Sequence, residues 1–198
     1  MVEKDKRLEL CRKLEKALKY SRFIHTMGVA FTATSLAARW GADMEKAELA
    51  GLLHDCAKYV PLDEMLRLCR EANLPVSDME SRSTALLHSK AGSVLARTAY
   101  AVDDEEILGA IRYHTTGRPE MTLLEKIIFI SDYIEPGRCE APNLPEIRAL
   151  AFSDIDACLL KILSDTLSYL GDSDKEIDQM TQMTYNYYKE TVSGKEEN

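Results

Sequence analysis

The sequence predicts an all-α fold of nine to ten helices, on three observations. Apolar residues recur three and four positions apart along almost the whole chain. No segment alternates apolar and polar residues between hairpin turns, so no sheet is expected. Short turns built from Pro, Gly, Asn and Asp punctuate the periodic segments, and none is long enough to be an interdomain linker. The 198 residues are therefore read as one domain, 1–198.

Leu8, Cys11, Leu14 and Leu18 form the apolar stripe of a first helix over about 4–20. Ser21 is the expected N-cap of a second helix that runs to Trp40 and stops at Gly41. Asp43 caps a third, which carries Leu49, Leu52 and Leu53 and ends around 54–58, ahead of Pro61. Further helices are expected at about 62–73, 84–101, 104–114, 121–135, 145–152, 155–170 and 175–191, followed by a polar tail.

The formal net charge is -8 with a pI near 5.1. An acidic surface repels phosphate backbones, which argues against a nucleic-acid polymer as partner but leaves room for a small anionic ligand held by local cations or a metal. The longest run without Asp, Glu, Lys or Arg, from Phe23 to Ala38, is too short to span a bilayer and holds His25 and several hydroxyls. No membrane partner is expected. The opening MVEKDKRLEL lacks an apolar signal segment, so the expected location is the cytoplasm. Five scattered cysteines form no C-x-x-C pair and are read as reduced thiols.

Four histidines remain as soft-metal ligands. His54 and Asp55 are adjacent at the end of AELAGLLHDCAK, where both can turn toward one interior point, and an imidazole beside a carboxylate suits Zn, Fe, Mn or Co. Alone, such a pair is more often a chance dipeptide near a helix end than a metal site. His25, in RFIHTMGVA, lies on an otherwise apolar helix, where a lone histidine is ordinarily a hydrogen-bonded core residue. Asp132, in LLEKIIFISDYIEP, lies in a strongly apolar helix where a bare carboxylate is costly and wants a cation.

The ordered set His25, His54-Asp55, Asp132 on an all-helical chain resembles the HD-domain metal-dependent phosphohydrolases. The stretches RFIHTMGV, AGLLHDCAK, LLHSKAG and ILGAIRYHTTGRPEMTLLEKIIFISDYIEPGR are similar to the YqeK family within them, the bacterial symmetrical diadenosine tetraphosphate hydrolases. The likeness runs from about Leu14 to Tyr188, with HDxxK and HTTGxxxM…DYIEPxR as its specific parts.

That resemblance implies an HD-type helical bundle with its metal core at about 21–138 and helices at about 143–191 completing a nucleotide pocket. It implies a divalent transition metal on His25, His54, Asp55 and Asp132, with iron favoured and Mn, Co, Ni or Zn allowed. His88 and His114 either hold a second ion through Asp55 or touch phosphate, and His114 with a near-neutral pKa would serve as general acid. Lys58 and Arg138 are the implied phosphate cations, with Arg22 and Thr115 as further contacts. Asp55, His114 and Lys58 are the implied catalytic residues.

In the family a loop before the last helix approaches the nucleotide. Here it reads DKEIDQM, departing from the usual Ile-His-Pro-like element, so contacts from Lys175, Ile177 and Asp178 are expected to differ in detail. The implied reaction is symmetrical hydrolysis of a dinucleoside polyphosphate or related purine nucleotide. The C-terminal Met180, Met183, Tyr185, Tyr187 and Tyr188 are read first as core, with a nucleotide-facing or homodimer surface as the alternatives. The same ligand order also serves phosphohydrolases of nucleoside monophosphates, dNTPs and guanosine tetraphosphate, or a non-catalytic nucleotide sensor.

Overall fold

The computed structural model describes residues 4–172 and 176–196, and Lys175 lies outside them. Ten α-helices and no strand are found among the described residues: α1 (Lys4–Ala17), α2 (Tyr20–Trp40), α3 (Met44–Leu53), α4 (Leu62–Glu71), α5 (Thr84–Tyr100), α6 (Glu105–Tyr113), α7 (Leu123–Ile134), α8 (Leu144–Ser153), α9 (Ile155–Asp172) and α10 (Gln179–Glu196). No helix among them is long and apolar enough to cross a membrane.

The caps explain most boundaries. Asp43 accepts the N–H groups of Glu45 and Lys46 at 2.8 and 3.1 Å, opening α3. Gly41 closes α2 with φ 74°, a left-handed conformation that costs glycine nothing. Thr122 and Glu125 form a reciprocal capping box at the start of α7. The expected cap at Ser21 is not formed. Lys19 takes that position without a side-chain bond, because α2 starts at Tyr20 and places Ser21 inside its first turn.

Apolar faces of α2, α3, α6, α7 and α9 enclose one core, including Leu36, Leu53, Leu108, Ile127, Ile128 and Leu159. A satellite cluster around Met65, Cys69, Leu87 and Ala91 joins α4 to α5. α2 and α3 approach closely because Gly51 is a glycine: a Cβ there would stand 2.7 Å from Ala30 Cα. This close crossing sets His25 and His54 on facing helices. On α10, Tyr188 is buried and its Oη accepts the Met121 N–H at 2.9 Å, while Met180 and Met183 remain exposed along a cavity wall.

Candidate metal centre

All four histidines and both acids of the ordered set converge. His25 comes from the second turn of α2, His54 and His114 are the C-terminal caps of α3 and α6, His88 projects from α5, and Asp132 from the last turn of α7. After Leu53 the chain winds in successive tight turns, Cys56 N–H to Leu53 O, Lys58 N–H to Asp55 O and Val60 N–H to Ala57 O. This winding lets the neighbours His54 and Asp55 face one interior point, with His54 Nε2 3.4 Å from Asp55 Oδ2.

Each imidazole is oriented from behind. Nδ1–H of His54, His88 and His114 donates to the carbonyls of Gly51, Thr84 and Ile111 at 2.7, 3.2 and 2.8 Å. His25 Nδ1–H donates instead to a carboxylate, Glu135 Oε1, at 3.0 Å. These acceptors set the proton on Nδ1 and turn every Nε2 inward.

Inside, His25 Nε2 stands 2.9 Å from Asp132 Oδ1 and 4.0 Å from Asp55 Oδ2. Asp55 Oδ1 faces His88 Nε2 at 3.0 Å and His114 Nε2 at 3.7 Å, and the latter two nitrogens are 3.1 Å apart. Asp55 is thus shared, one oxygen toward each end of the cluster. His25 Nε2, His54 Nε2 and Asp55 Oδ1 are buried with no hydrogen-bond partner. Orphaned acceptors at such spacing need a cation between them.

Three overlapping sets have their ligand atoms within 4.8 Å of one another: His25, His54 and Asp55; His54, His114 and Asp132; Asp55, His88 and His114. Mixed nitrogen and oxygen donors of this kind fit a divalent transition metal. The residues present therefore could hold a metal, and HD domains are metal-dependent.

The electrostatics follow from the crowding. Burial opposes ionisation of Asp55, but the facing histidines, His54 foremost, hold its carboxyl well below the usual range. Asp132 is depressed likewise, with the His25 contact the strongest force against burial. Burial would lower His54, yet Asp55 and then Asp132 outweigh it and raise its pKa. Burial, then His54 and His88, push His114 down to about 3. The near-neutral general acid expected at His114 is therefore not what the fold provides. At pH 7 its ring is neutral, Nδ1–H is committed to Ile111, and Nε2 presents a lone pair.

A rim of cations surrounds these groups. Arg22 Nη1 contacts Asp55 Oδ2 at 2.9 Å, Lys58 Nζ lies 3.4 Å from Asp55 Oδ1 and 3.1 Å from His88 Nε2, and Arg138 Nη2 contacts Asp132 Oδ1 at 2.8 Å. All three remain partly exposed, as does Asp132, while His54, Asp55, His88 and His114 are buried, so a solvent-borne anion meets positive charge at the mouth of the site. Thr115, beside His114, has a buried hydroxyl with no partner.

Asp178 is occupied differently from the sequence expectation. Its Oδ1 accepts the N–H groups of Met180 and Thr181 at 2.9 and 3.3 Å, capping α10. Ile177 and Asp178 still border a cavity of about 860 Å³, whose wall also includes Ser89, Tyr113 and Thr116, the neighbours of His88 and His114.

Two residues escaped sequence reading. Glu135, at the end of the helix expected over 121–135, has no role assigned by the sequence, yet it is buried and backs His25. Arg148, on α8, spans three carbonyls of the segment that follows Asp132: Nε to Ile134 at 3.0 Å, Nη2 to Glu135 at 3.1 Å and to Arg138 at 2.8 Å. The available signal was the i, i+3 spacing of Asp132 and Glu135 on one helix face.

Comparison with known proteins agrees with this geometry. The HD domain family model matches residues 22–137. The chain is 41% identical over 174 residues, 88% of its length and 92% of the relative's, to a symmetrical bis(5'-nucleosyl)-tetraphosphatase of Bacillus subtilis (strain 168). It is 39% identical to a protein of the same description from Staphylococcus aureus (strain NCTC 8325 / PS 47), covering 94% of each chain. A crystal structure of a predicted HD superfamily hydrolase involved in NAD metabolism, from Clostridium acetobutylicum, superposes with a TM-score of 0.89 at 39% identity, covering 93% of this chain and 97% of that one. The chain belongs to the HD-domain hydrolases, in the family of the symmetrical bis(5'-nucleosyl)-tetraphosphatases.

Proposed function

We propose that the protein hydrolyses diadenosine tetraphosphate and related dinucleoside polyphosphates symmetrically, releasing two ADP. The observation that carries this reading is the convergence of four inward Nε2 atoms and two carboxylates beneath a rim of three cations. The names of the relatives supply the substrate class.

His25, His54, Asp55 and Asp132 would hold a divalent ion, iron by family resemblance, with Mn, Co, Ni or Zn compatible with the donor set. Asp55, His88 and His114 form a second set, so a binuclear centre is part of the reading. Bound there, metal supplies Lewis acidity and a water activated for attack on phosphorus.

The chain's own residues do the remaining work. Water oxygen bonds to one of the two inner phosphorus atoms, the bridging P–O bond on the far side breaks, and the oxygen leaves with the second ADP. Lys58, at the His88 end, and Arg138, at the Asp132 end, neutralise charge spreading over the phosphoryl oxygens. Arg138 offers a planar fork, Lys58 a point charge. Arg22 and the free hydroxyl of Thr115 add donors beside Asp55 and His114. The cavity beside His114 supports nucleoside binding near Ile177 and Asp178. His114 serves as ligand or phosphate contact rather than acid. A cytoplasmic location and homodimeric assembly complete the reading.

The test is a substrate panel with product analysis on metal-loaded protein. Diadenosine tetraphosphate should yield ADP alone. Release of ATP with AMP, or faster turnover of a nucleoside monophosphate, would replace the symmetrical assignment with another phosphohydrolase activity.

A further inference from the structure

We infer that Glu135 is a positioning residue of the metal centre, fixing His25 and strengthening its Nε2 as a donor to the ion. The inference rests on the reading of His25 as a ligand and adds a residue outside the H, HD, D set.

Three of the four histidines are backed by neutral carbonyls; His25 alone is backed by a carboxylate. An ionised acceptor polarises the imidazole more strongly, and a carboxylate behind a ligating histidine tightens its hold on a cation. Both oxygens of Glu135 are engaged: Oε1 takes the His25 proton and Oε2 takes the Gly137 N–H at 2.5 Å. Its residue is only 4% exposed, and His25 is its ion-pair partner among the described residues. A buried carboxylate so placed is costly unless the site it serves carries positive charge.

The surroundings are shaped to admit it. A Cβ on Gly28 would meet Glu135 Oε2 at 2.5 Å, and one on Gly137 would meet Oε1 at 2.9 Å. Gly28 lies in the interior of α2, where glycine is less favourable than alanine. Its value there is the space it leaves for the carboxylate. Arg148 then ties the Ile134, Glu135 and Arg138 carbonyls to α8, so the segment carrying Glu135 is held from both sides.

The experiment is titration of Co(II) into chelator-stripped protein, reading affinity and the visible spectrum, together with ¹⁵N shifts of the His25 ring before metal is added. Glu135→Ala should weaken Co(II) binding by about 10–100-fold, change the spectrum and mix the two ring tautomers. Glu135→Gln keeps an oxygen for the Nδ1 proton, so it should preserve the tautomer and lose less affinity, about 3–10-fold. A folded Glu135→Ala protein with native affinity and spectrum overturns the inference. Should Glu135→Ala fail to fold, Glu135→Gln decides, native affinity again being the overturning result. His25→Ala is the control: if it binds Co(II) as the parent does, the ligand reading fails, whatever Glu135 does.

Discussion

The two ends of the histidine cluster are built from the same residue types but differently charged. At one end His25 and His54 face two carboxylates, Asp55 and Asp132, with a third, Glu135, behind His25. At the other, His88 and His114 share only the far oxygen of Asp55, are backed by neutral carbonyls, and have Lys58 as a neighbour. More anionic charge among the ligands favours a bound ion at the first end, even with Arg22 and Arg138 beside Asp55 and Asp132. The second end, with Lys58 against His88 Nε2, is better suited to a weaker ion or to phosphate. Identical ligand chemistry thus gives unequal sites, because the groups behind and beside the ligands differ.

Asp55 belongs to both ends, so its removal should be the most damaging change. Asp55→Ala is expected to lower kcat/KM by at least about 10²–10³-fold while the helical circular dichroism is kept, and near-native turnover would end the idea of a shared ligand.

The comparison itself is tested by His25→Ala against His88→Ala. The first should strip stoichiometric metal from the purified protein; the second should keep about one ion per chain and lose mainly turnover, by about 10–100-fold. Equal metal loss in both would mean that the ends are equivalent.

Smaller effects separate the two rim cations. Arg138→Lys should raise KM by about 10-fold by replacing a fork with a point charge, whereas Lys58→Arg should fall mainly on kcat, through its contact with His88. The same kinetic split for both would remove the distinction between them.

The smallest effect is one of pH on the metal-free protein. His114 has a folded pKa near 3, below its unfolded value of about 6.5, so the unfolded chain takes up the proton first. The neutral ring's contribution to stability is full above pH 6.5 and is lost as pH falls from there toward 3. His54 has the opposite sign: its raised pKa stabilises below about 6.5 and fades as pH rises through the folded value. Urea midpoints between pH 4.5 and 6.5 should decline less in His114→Gln than in the parent, and parallel profiles would show that His114 is not the group involved.

Much of this was legible in the chain because it is local. Helical spacing, the Asp43 cap and the Gly41 stop depend on residues within a turn of one another, and the structure reproduces them. Ser21 does not cap because a cap is defined by where helical backbone begins, and α2 begins two residues earlier than a cap at Ser21 would set. The ligand types were legible too, since a histidine or acid in an apolar helix is conspicuous whatever it faces.

Residue order alone carries the helical architecture, the net acidic charge and the identity of the groups able to bind a cation. Tertiary structure decided which of them share oxygens, that Arg22 lies on Asp55, that His114 is neutral, and that Glu135 backs His25 across 110 residues of sequence. The physical reason is range. Propensity and capping act within a few residues, whereas burial, Coulomb interaction and the space left by Gly28 depend on helices brought together only when the core closes.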